Sequence, residues 1–474
     1  MAKTEEKKNN MWLILIATCL FTFMSTLDAS IVNIAMPSIS TSLNIDMGAV
    51  EWIVSIYMIT ICCLLIFWGR VSDSIGKIKI FKIGTYIFVL GTFLCGTSKT
   101  IEVLLISRII QALGASMTMA TNYGIITENF PPEMRGKSLG VLGSFVSLGS
   151  IAGPGLGGII LQKFSWRYIF LINVPIGIFA IILGQIVFPK IKKKDVSLNI
   201  DYIGVILFAV STVSLFLGIL IGQVIGFGKP LIIKLFISFV ITGIGFIVRE
   251  FKAKAPLIDM KIFKSRPFSL GLICALLIFS SNMFMSTLLP FYLEDTLKIS
   301  PFLSGLVFMA VPLAMVVVAP ISGALADKLE PKLLTFIGLF IVCISQVLLL
   351  FMGANTHIYF LIIATLLSGI GVAIFQTPNN SIIMSSVEPK YLGITGSINA
   401  LARNLGMVIG ISFSTTILYN SMSNKIGYRV TNYILGRDDV FLYGMHIAFF
   451  VSFVLCFIAF LITGYRLFAK RKKS

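Results

Sequence analysis

Charge is scarce in this chain: 12% of its 474 residues are charged, against 57% hydrophobic. Soluble globular chains carry about 25% charged and about 45–50% apolar residues. A water-soluble fold is therefore excluded, and so is disorder, which needs a far better solvated composition. Histidine is nearly missing, with only His357 and His446 near outer loop ends, so a histidine-based membrane enzyme lacks its parts. The seven cysteines (Cys19, Cys62, Cys63, Cys95, Cys274, Cys343 and Cys456) all lie in apolar runs, without C-x-x-C or a zinc or disulfide spacing. They read as small packing residues. A nucleotide site is missing too. Gly136-Lys137-Ser138 looks like the end of a phosphate loop, but Pro131 stands where its first glycine belongs and no strand precedes it. Gly153-Pro154-Gly155-Leu156-Gly157-Gly158 spells G-x-G-x-x-G inside an apolar helix, with a proline no dinucleotide turn accepts. No cofactor and no metal are expected.

What the chain does have is long apolar runs. A membrane-spanning helix needs about 20 mostly apolar residues, and fourteen such runs follow one another, from 11–36 to 441–465. The first is too long for a signal peptide and contains an Asp. An even number of spans puts both termini on one side of the membrane. Lys and Arg favour that side by about three to one, so both ends are expected in the cytoplasm. The net charge of +18 then reflects loops facing an anionic leaflet rather than a nucleic-acid partner. Polar breaks at 189–199 and 251–267 divide the chain into a six-helix bundle (1–188), a two-helix insert with its linkers (189–265), and a second six-helix bundle with a basic tail (266–474). Gly69-Arg-Val-Ser-Asp73 after span 2 is echoed by Gly323-Ala-Leu-Ala-Asp327 after span 10. Repeated halves of this kind build many secondary transporters.

A few polar residues interrupt the apolar spans. Asp28 lies in span 1 within Leu27-Asp28-Ala-Ser-Ile-Val-Asn33-Ile-Ala-Met-Pro37. A carboxylate there costs about 2.5–3.5 kcal/mol on insertion scales, so its retention points to a use. Thr18, Thr22, Ser25 and Asp28 share one helix face, which predicts a polar stripe on an interior cavity. Dehydration would raise the pKa of Asp28 and suit it to bind and release protons. A structural Asp held permanently by an arginine is the alternative. Arg108 and Gln111 share one face of span 4. Arg108 demands an anionic or carbonyl partner, and Asp28 is a candidate for it. Gly149, Gly153, Gly157 and Gly158 bracket Pro154 on span 5, where glycine steps permit close helix approach and the proline breaks a backbone bond.

These strings resemble the major facilitator superfamily, specifically its fourteen-span drug:proton antiporters. Gly69 to Lys79 is similar to the superfamily's loop between spans 2 and 3, and Gly149 to Gly158 to the antiporter motif of span 5. Arg108 with Gln111 resembles the span 4 motif, with Ala112 in place of the usual first Gly and Ser116 in place of a usual Ala. Leu27 to Pro37 resembles the span 1 motif, and Ser165-Trp166-Arg167 through Asn173, Pro175 and Gly177 the span 6 entrance. The resemblance implies an all-α polytopic major facilitator fold of two six-helix bundles plus the two-helix insert. It implies a cytoplasmic latch of Gly69, Asp73, Gly76, Lys77 and Lys79, with Asp327 as a degenerate counterpart. Gly153 and Pro154 would seal and bend the contact between the bundles, and Arg108 would join proton coupling. Arg403 with Asn404 fits a recurrent arginine on span 13.

The expected function is proton-coupled export of lipophilic compounds, cationic or neutral, through alternating access. Its partners would be small-molecule substrates, protons and membrane lipids, and the protein would be a monomer of the cell membrane. Asp28, Asn33, Arg108, Gln111 and Arg403 are the expected coupling and cavity residues. No carboxylate lies mid-membrane in the second half, since Glu294 and Asp295 sit at an outer loop end, as Glu51 and Glu128 sit at span ends; this argues against a strongly dicationic substrate. An exporter of a lipid, metabolite or peptide is the alternative, with a nutrient symporter behind it. The two inserted helices carry no evident chemistry, and peripheral packing is expected of them.

Overall fold

The computed structural model describes residues 2–45, 47–188, 200–430, 433–434 and 436–468. Fourteen helices in it are long and apolar enough to cross a membrane. The first bundle holds α1 (Met11–Leu43), α2 (Ala49–Ile75), α3 (Lys77–Thr97), α4 (Ile101–Asn129), α5 (Pro132–Lys163) and α6 (Tyr168–Val187). The insert is α7 (Tyr202–Gln223) and α8 (Pro230–Lys252). The second bundle holds α9 (Arg266–Thr296), α10 (Leu303–Ala326), α11 (Pro331–Leu350), α12 (Ile358–Ser385), α13 (Pro389–Ile426) and α14 (Asp438–Phe468). Several helices outrun the apolar segments that announced them; α5 begins at Pro132 rather than near 137. Hydropathy marks the thickness of the oily layer, whereas a helix continues until its caps and its backbone stop it.

Local chemistry sets those ends. Pro132 opens α5 at a position whose N–H has no helical partner anyway, and the Thr100 hydroxyl accepts from the Val103 amide to start α4. Gly76 separates α2 from α3 at φ +105°, a backbone state that side chains resist. Gly427 ends α13 in the left-handed region at φ +87°. Within spans, threonines satisfy themselves on the preceding turn, as Thr18 and Thr22 do on Ile14 and Thr18 carbonyls.

With lipid as the alternative neighbour, helices here associate through close packing rather than hydrophobic expulsion. The two bundles use matching devices. Gly84 of α3 lies against Gly114 of α4, and Gly338 of α11 against Gly371 of α12; an added Cβ would come within 2.8 Å of the facing carbonyl in each case. All seven cysteines are buried and free. The insert pair packs on itself and lays α7 against α2 and α13, with the Gln223 amide reaching the Thr415 hydroxyl at 3.4 Å. Arg249 at the end of α8 grips Asp201, which precedes α7, through two bonds of 2.7 and 3.1 Å. That grip holds the Asp201 carboxyl below the usual carboxylate range.

The bundles touch mainly in the half of the molecule where α1 begins and α14 ends, called here the terminal end. There α5 meets α10, with Gly136 against Gly323, Gly140 against Ala319, and the Ser144 hydroxyl on the Val316 carbonyl at 2.9 Å. Across the interface α2 meets α13, with Gly69 against Ser397 and Gly393 against Ser72. Above these contacts, toward the middle, the bundles part around a cavity.

Candidate functional site

At the terminal end, two carboxylates reach from one bundle to backbone amides of the other. Asp73 accepts from Gly393 N at 2.8 Å and Ile394 N at 2.9 Å, in the first turn of α13. Asp327 accepts from Gly136 N at 2.7 Å and Lys137 N at 2.8 Å, near the start of α5. Gly393 and Ile394 lie in a first turn whose amides have no helical partner, whereas Gly136 and Lys137 are the fifth and sixth residues of α5; the helix dipole favours both carboxylates, by about 0.3–2 kcal/mol. The glycines above each acid, Gly69 and Gly323, allow the close approach: a Cβ on either would sit 2.3 Å or less from an atom of the opposite bundle. Asp327 lacks the following basic pair, and the Gly136 and Lys137 amides supply its binding partners instead. Burial raises its carboxyl above the ordinary value despite those amides.

The basic residues expected beside Asp73 divide. Lys77 is buried and bridges Asp73 at 2.8 Å and Glu128 at 2.7 Å. Lys79 is exposed and makes no ion pair among the described residues; two residues along α3 it faces the opposite way. Glu128, dismissed from the sequence as a span-end acid, is the partner that the fold adds.

Deeper in the first bundle, Asp28, Arg108 and Gln111 form one buried network. Arg108 Nη1 donates to Asp28 Oδ2 at 2.7 Å and to Gln111 Oε1 at 2.6 Å, and Arg108 Nε donates to the Ile53 carbonyl at 3.1 Å. Gln111 Nε2 donates to Asp28 Oδ1 at 2.8 Å and to the Thr92 hydroxyl at 2.6 Å. Asn173 Nδ2 approaches Asp28 Oδ1 at 3.5 Å. Arg108 also lies over the Tyr57 ring, 4.2 Å from its centroid. None of the three is more than 1% exposed.

This corrects the expected placement of Asp28 on a cavity wall. Thr22 and Ser25 do line the cavity, but Asp28 is turned into the bundle toward Arg108. The reason is the pairing itself: a buried charge is tolerable only when its partner and its remaining hydrogen bonds are supplied. Spacing along α1 revealed the polar stripe but not which edge of it faces α4. Asn33 and Arg403 do line the cavity, whereas Arg108 and Gln111 do not. Nothing in the sequence marks Ile53, Tyr57 or Thr92; Asn173 stands out there as part of the span 6 entrance, without a link to Asp28.

The span 5 glycines also stand elsewhere than expected. Gly149 and Gly153 pack on α1 of their own bundle, where a Cβ on Gly153 would strike Ser30. Ser30 further donates to the Gly149 carbonyl at 3.1 Å. Gly157 faces Ile31, while Gly155 and Gly158 have open space where a Cβ would go. The motif with Pro154 therefore seals α5 to α1, and the contact between bundles on α5 falls to Gly136 and Gly140 one half-span earlier.

The cavity has a volume of about 500 Å³ and is walled by both bundles, from α1, α2, α4 and α5 on one side to α9, α10, α12 and α13 on the other. Hydroxyls and amides are plentiful on it, including Ser147, Ser150, Asn122, Asn282 and Gln376. Six methionines give it a soft apolar lining. Tyr57 belongs to this wall as well, so one ring separates the cavity from Arg108. No group of three or more metal-binding side chains occurs among the described residues.

The model of the Major Facilitator Superfamily matches residues 18–411. The chain is 35% identical over 454 residues to the riboflavin transporter RibZ of Clostridioides difficile (strain 630), covering 95% of this chain and 96% of that one. It is 30% identical to multidrug resistance protein 3 of Bacillus subtilis (strain 168), covering 90% of this chain and 83% of the relative. Among solved structures, a bacterial homologue of the iron transporter ferroportin in an outward-facing state superposes with a TM-score of 0.66 at 14% identity, covering 96% of this chain and all of that one. At such identity the likeness concerns the fold.

Proposed function

The chain belongs to the Major Facilitator Superfamily, whose members transport small molecules, and we propose that it is a proton-coupled antiporter that expels small lipophilic compounds from the cell by alternating access. The observation that carries this reading is the single ring of Tyr57 between the central cavity and the Arg108–Asp28 pair. A proton reaching Asp28 converts it from a charged acceptor to a neutral acid and releases the ion pair. Arg108 is not left bare by this, because the Ile53 carbonyl and Gln111 Oε1 remain as acceptors. Proton binding thus leaves Arg108 hydrogen-bonded but without its anion, and that imbalance favours a rearrangement of α1, which also walls the cavity, against α4. The multidrug relative supports the substrate class.

In this reading the excess of Lys and Arg places both termini in the cytoplasm of a cell-membrane protein. The terminal end is then the cytoplasmic gate, closed by Asp73 and Asp327 as paired latches, and the cavity faces outward. Gly69, Gly76 and Lys77 support the first latch, Gly323 the second. Each chain works as a monomer, because one chain encloses the whole cavity. The insert acts as a peripheral brace on α2 and α13. Dye efflux in everted vesicles under an imposed pH gradient tests the reading: substrate should accumulate only when the lumen is acid, and accumulation indifferent to the gradient would overturn it.

A second reading has its own support. The relative at 35% identity is a riboflavin transporter, and the cavity's amides and hydroxyls suit a hydrogen-bonding metabolite better than a bare hydrocarbon. Competition by riboflavin in the same vesicles separates the two.

A further inference from the structure

The cavity wall carries one formal charge. Of the residues that line it, Arg403 is the sole ionisable acid or base with a permanent charge, and no carboxylate accompanies it. Arg403 makes no hydrogen bond or ion pair with any described residue, and its Nε is buried without an acceptor. An uncompensated guanidinium in the middle of a span costs several kcal/mol unless it borders water or a ligand. Arg108 needs none of this help, since it is paired with the Asp28 carboxylate and bonded to Gln111 and the Ile53 carbonyl. The unpaired acceptor capacity that Arg403 demands must therefore come from whatever fills the cavity.

Two buried amides point the same way. Asn404, 2% exposed, has no oxygen acceptor for its Nδ2, only the weakly accepting Cys62 thiol. Across the cavity Asn122, 5% exposed, spends its Nδ2 on the Thr22 hydroxyl at 2.9 Å and leaves its Oδ1 free. Buried amide groups are ordinarily paired, so these orphans mark where a ligand's own polar atoms belong. Donors cluster on α13 and one acceptor faces them from α4, with methionines and Tyr57 between.

We propose that Arg403 and Asn404 anchor the substrate, and that the transported class consists of ring-bearing molecules presenting an anionic or carbonyl-rich edge rather than a cation. The proposal rests on the transport reading above and narrows its substrate. Arg suits a planar acceptor edge because its fork of N–H groups is fixed in one plane. The apolar body of the ligand would lie on the methionine lining, and a ring N–H would meet Asn122 Oδ1. A cationic drug meets no opposite charge here and one like charge.

The test uses the purified full-length protein in uncharged detergent micelles, with no gradient, and two dyes of matched xanthene shape: anionic fluorescein and a rhodamine ester of fixed positive charge. Fluorescence polarisation should give fluorescein at least ~tenfold tighter binding, since like-charge juxtaposition is strongly disfavoured. Arg403→Gln should weaken fluorescein about tenfold and leave the rhodamine ester unchanged or improved, while Arg403→Lys should retain most of the preference. Asn404→Asp, which neutralises the same edge with Arg403 in place, supplies the second variant should Arg403→Gln fail to elute as folded protein. Equal or tighter rhodamine binding, an equal loss of both dyes on substitution, or no binding of either by the folded wild type would overturn the proposal. Charge-selective binding with no proton-driven efflux would instead defeat the transport reading alone.

Discussion

Asp73 and Asp327 occupy equivalent places in the two halves, and each spends both carboxylate oxygens on consecutive backbone amides of the opposite bundle, at 2.7–2.9 Å. The terminal end is therefore closed twice by the same chemistry. Backbone amides cannot be mutated away, so the glycines beside them decide whether the acids can reach: Gly136 and Gly393 supply the amide and the clearance together.

Asp73→Ala and Asp327→Ala should each loosen the terminal end by a comparable amount. Each removes two bonds to backbone amides whose net worth, after the cost of burying the charge, is about 0.5–1.5 kcal/mol, so roughly a tenfold shift toward opening is expected of each. Maleimide labelling of Ser72→Cys, buried at this contact, reads it. A ten-times larger effect for one acid would show that the two latches are not equivalent.

Gly69→Val and Gly323→Val should obstruct closure outright. A Cβ at Gly323 would meet the Gly136 carbonyl at 2.1 Å, which no rotamer change relieves; one at Gly69 would meet the Ser397 hydroxyl at 2.3 Å and, were that hydroxyl to turn away, still the Ser397 Cβ at 2.9 Å and the Gly393 carbonyl at 3.0 Å. Both variants should insert normally, label rapidly at Ser72→Cys, and transport at a small fraction of the wild-type rate. Gly158→Ala, with open space around it, should transport normally.

Acid should favour closure through Asp327. Its carboxyl titrates above the ordinary value in the closed state because burial outweighs the two amides, whereas opening returns it to water. A group whose pKa is higher in one state favours that state below its pKa and ceases to do so as pH rises through it. Labelling of Ser72→Cys should slow as pH falls through the carboxylate range, and Asp327→Asn should flatten that slope. A slope unchanged by the substitution would remove Asp327 as its source.

The sequence made the architecture readable because composition, span length and loop charge all depend on the bilayer alone. The fourteen spans were accessible in this way, while the acids at 73 and 327 stood out through the repeated G-x-x-x-D string. The orientation of side chains was not. Asp28 and Thr22 share a stripe about a third of a turn wide, and only the position of α4 decides that one enters the bundle and the other the cavity. The partner of Gly153 was misassigned for a related reason: glycine spacing shows that a helix is approached closely, never by which neighbour. Tyr57 and Thr92 left no mark at all, being ordinary residues whose importance comes from what lies beside them.

Tyr57→Ala should connect the cavity to the Arg108–Asp28 pair and uncouple transport. Substrate-independent proton leak should rise several-fold, while Tyr57→Phe, which keeps the ring over Arg108, should stay close to wild type. Leak measured in proteoliposomes with a pH-sensitive dye distinguishes them; equal leak in Ala and Phe variants would mean that the ring is not the barrier.

Asp28 is the proton carrier in this transport scheme, and comparing exchange with accumulation isolates that role. Asp28→Asn leaves Arg108 buried without its anion, a change that costs about 3–5 kcal/mol, so it is compared with Asp28→Asn/Arg108→Gln, and both are first shown to elute as folded protein. Reconstituted in proteoliposomes, the double variant should still exchange labelled for unlabelled substrate but fail to concentrate it against its gradient when a pH gradient is imposed. Concentrative transport at the wild-type level without a carboxyl at position 28 would contradict the account.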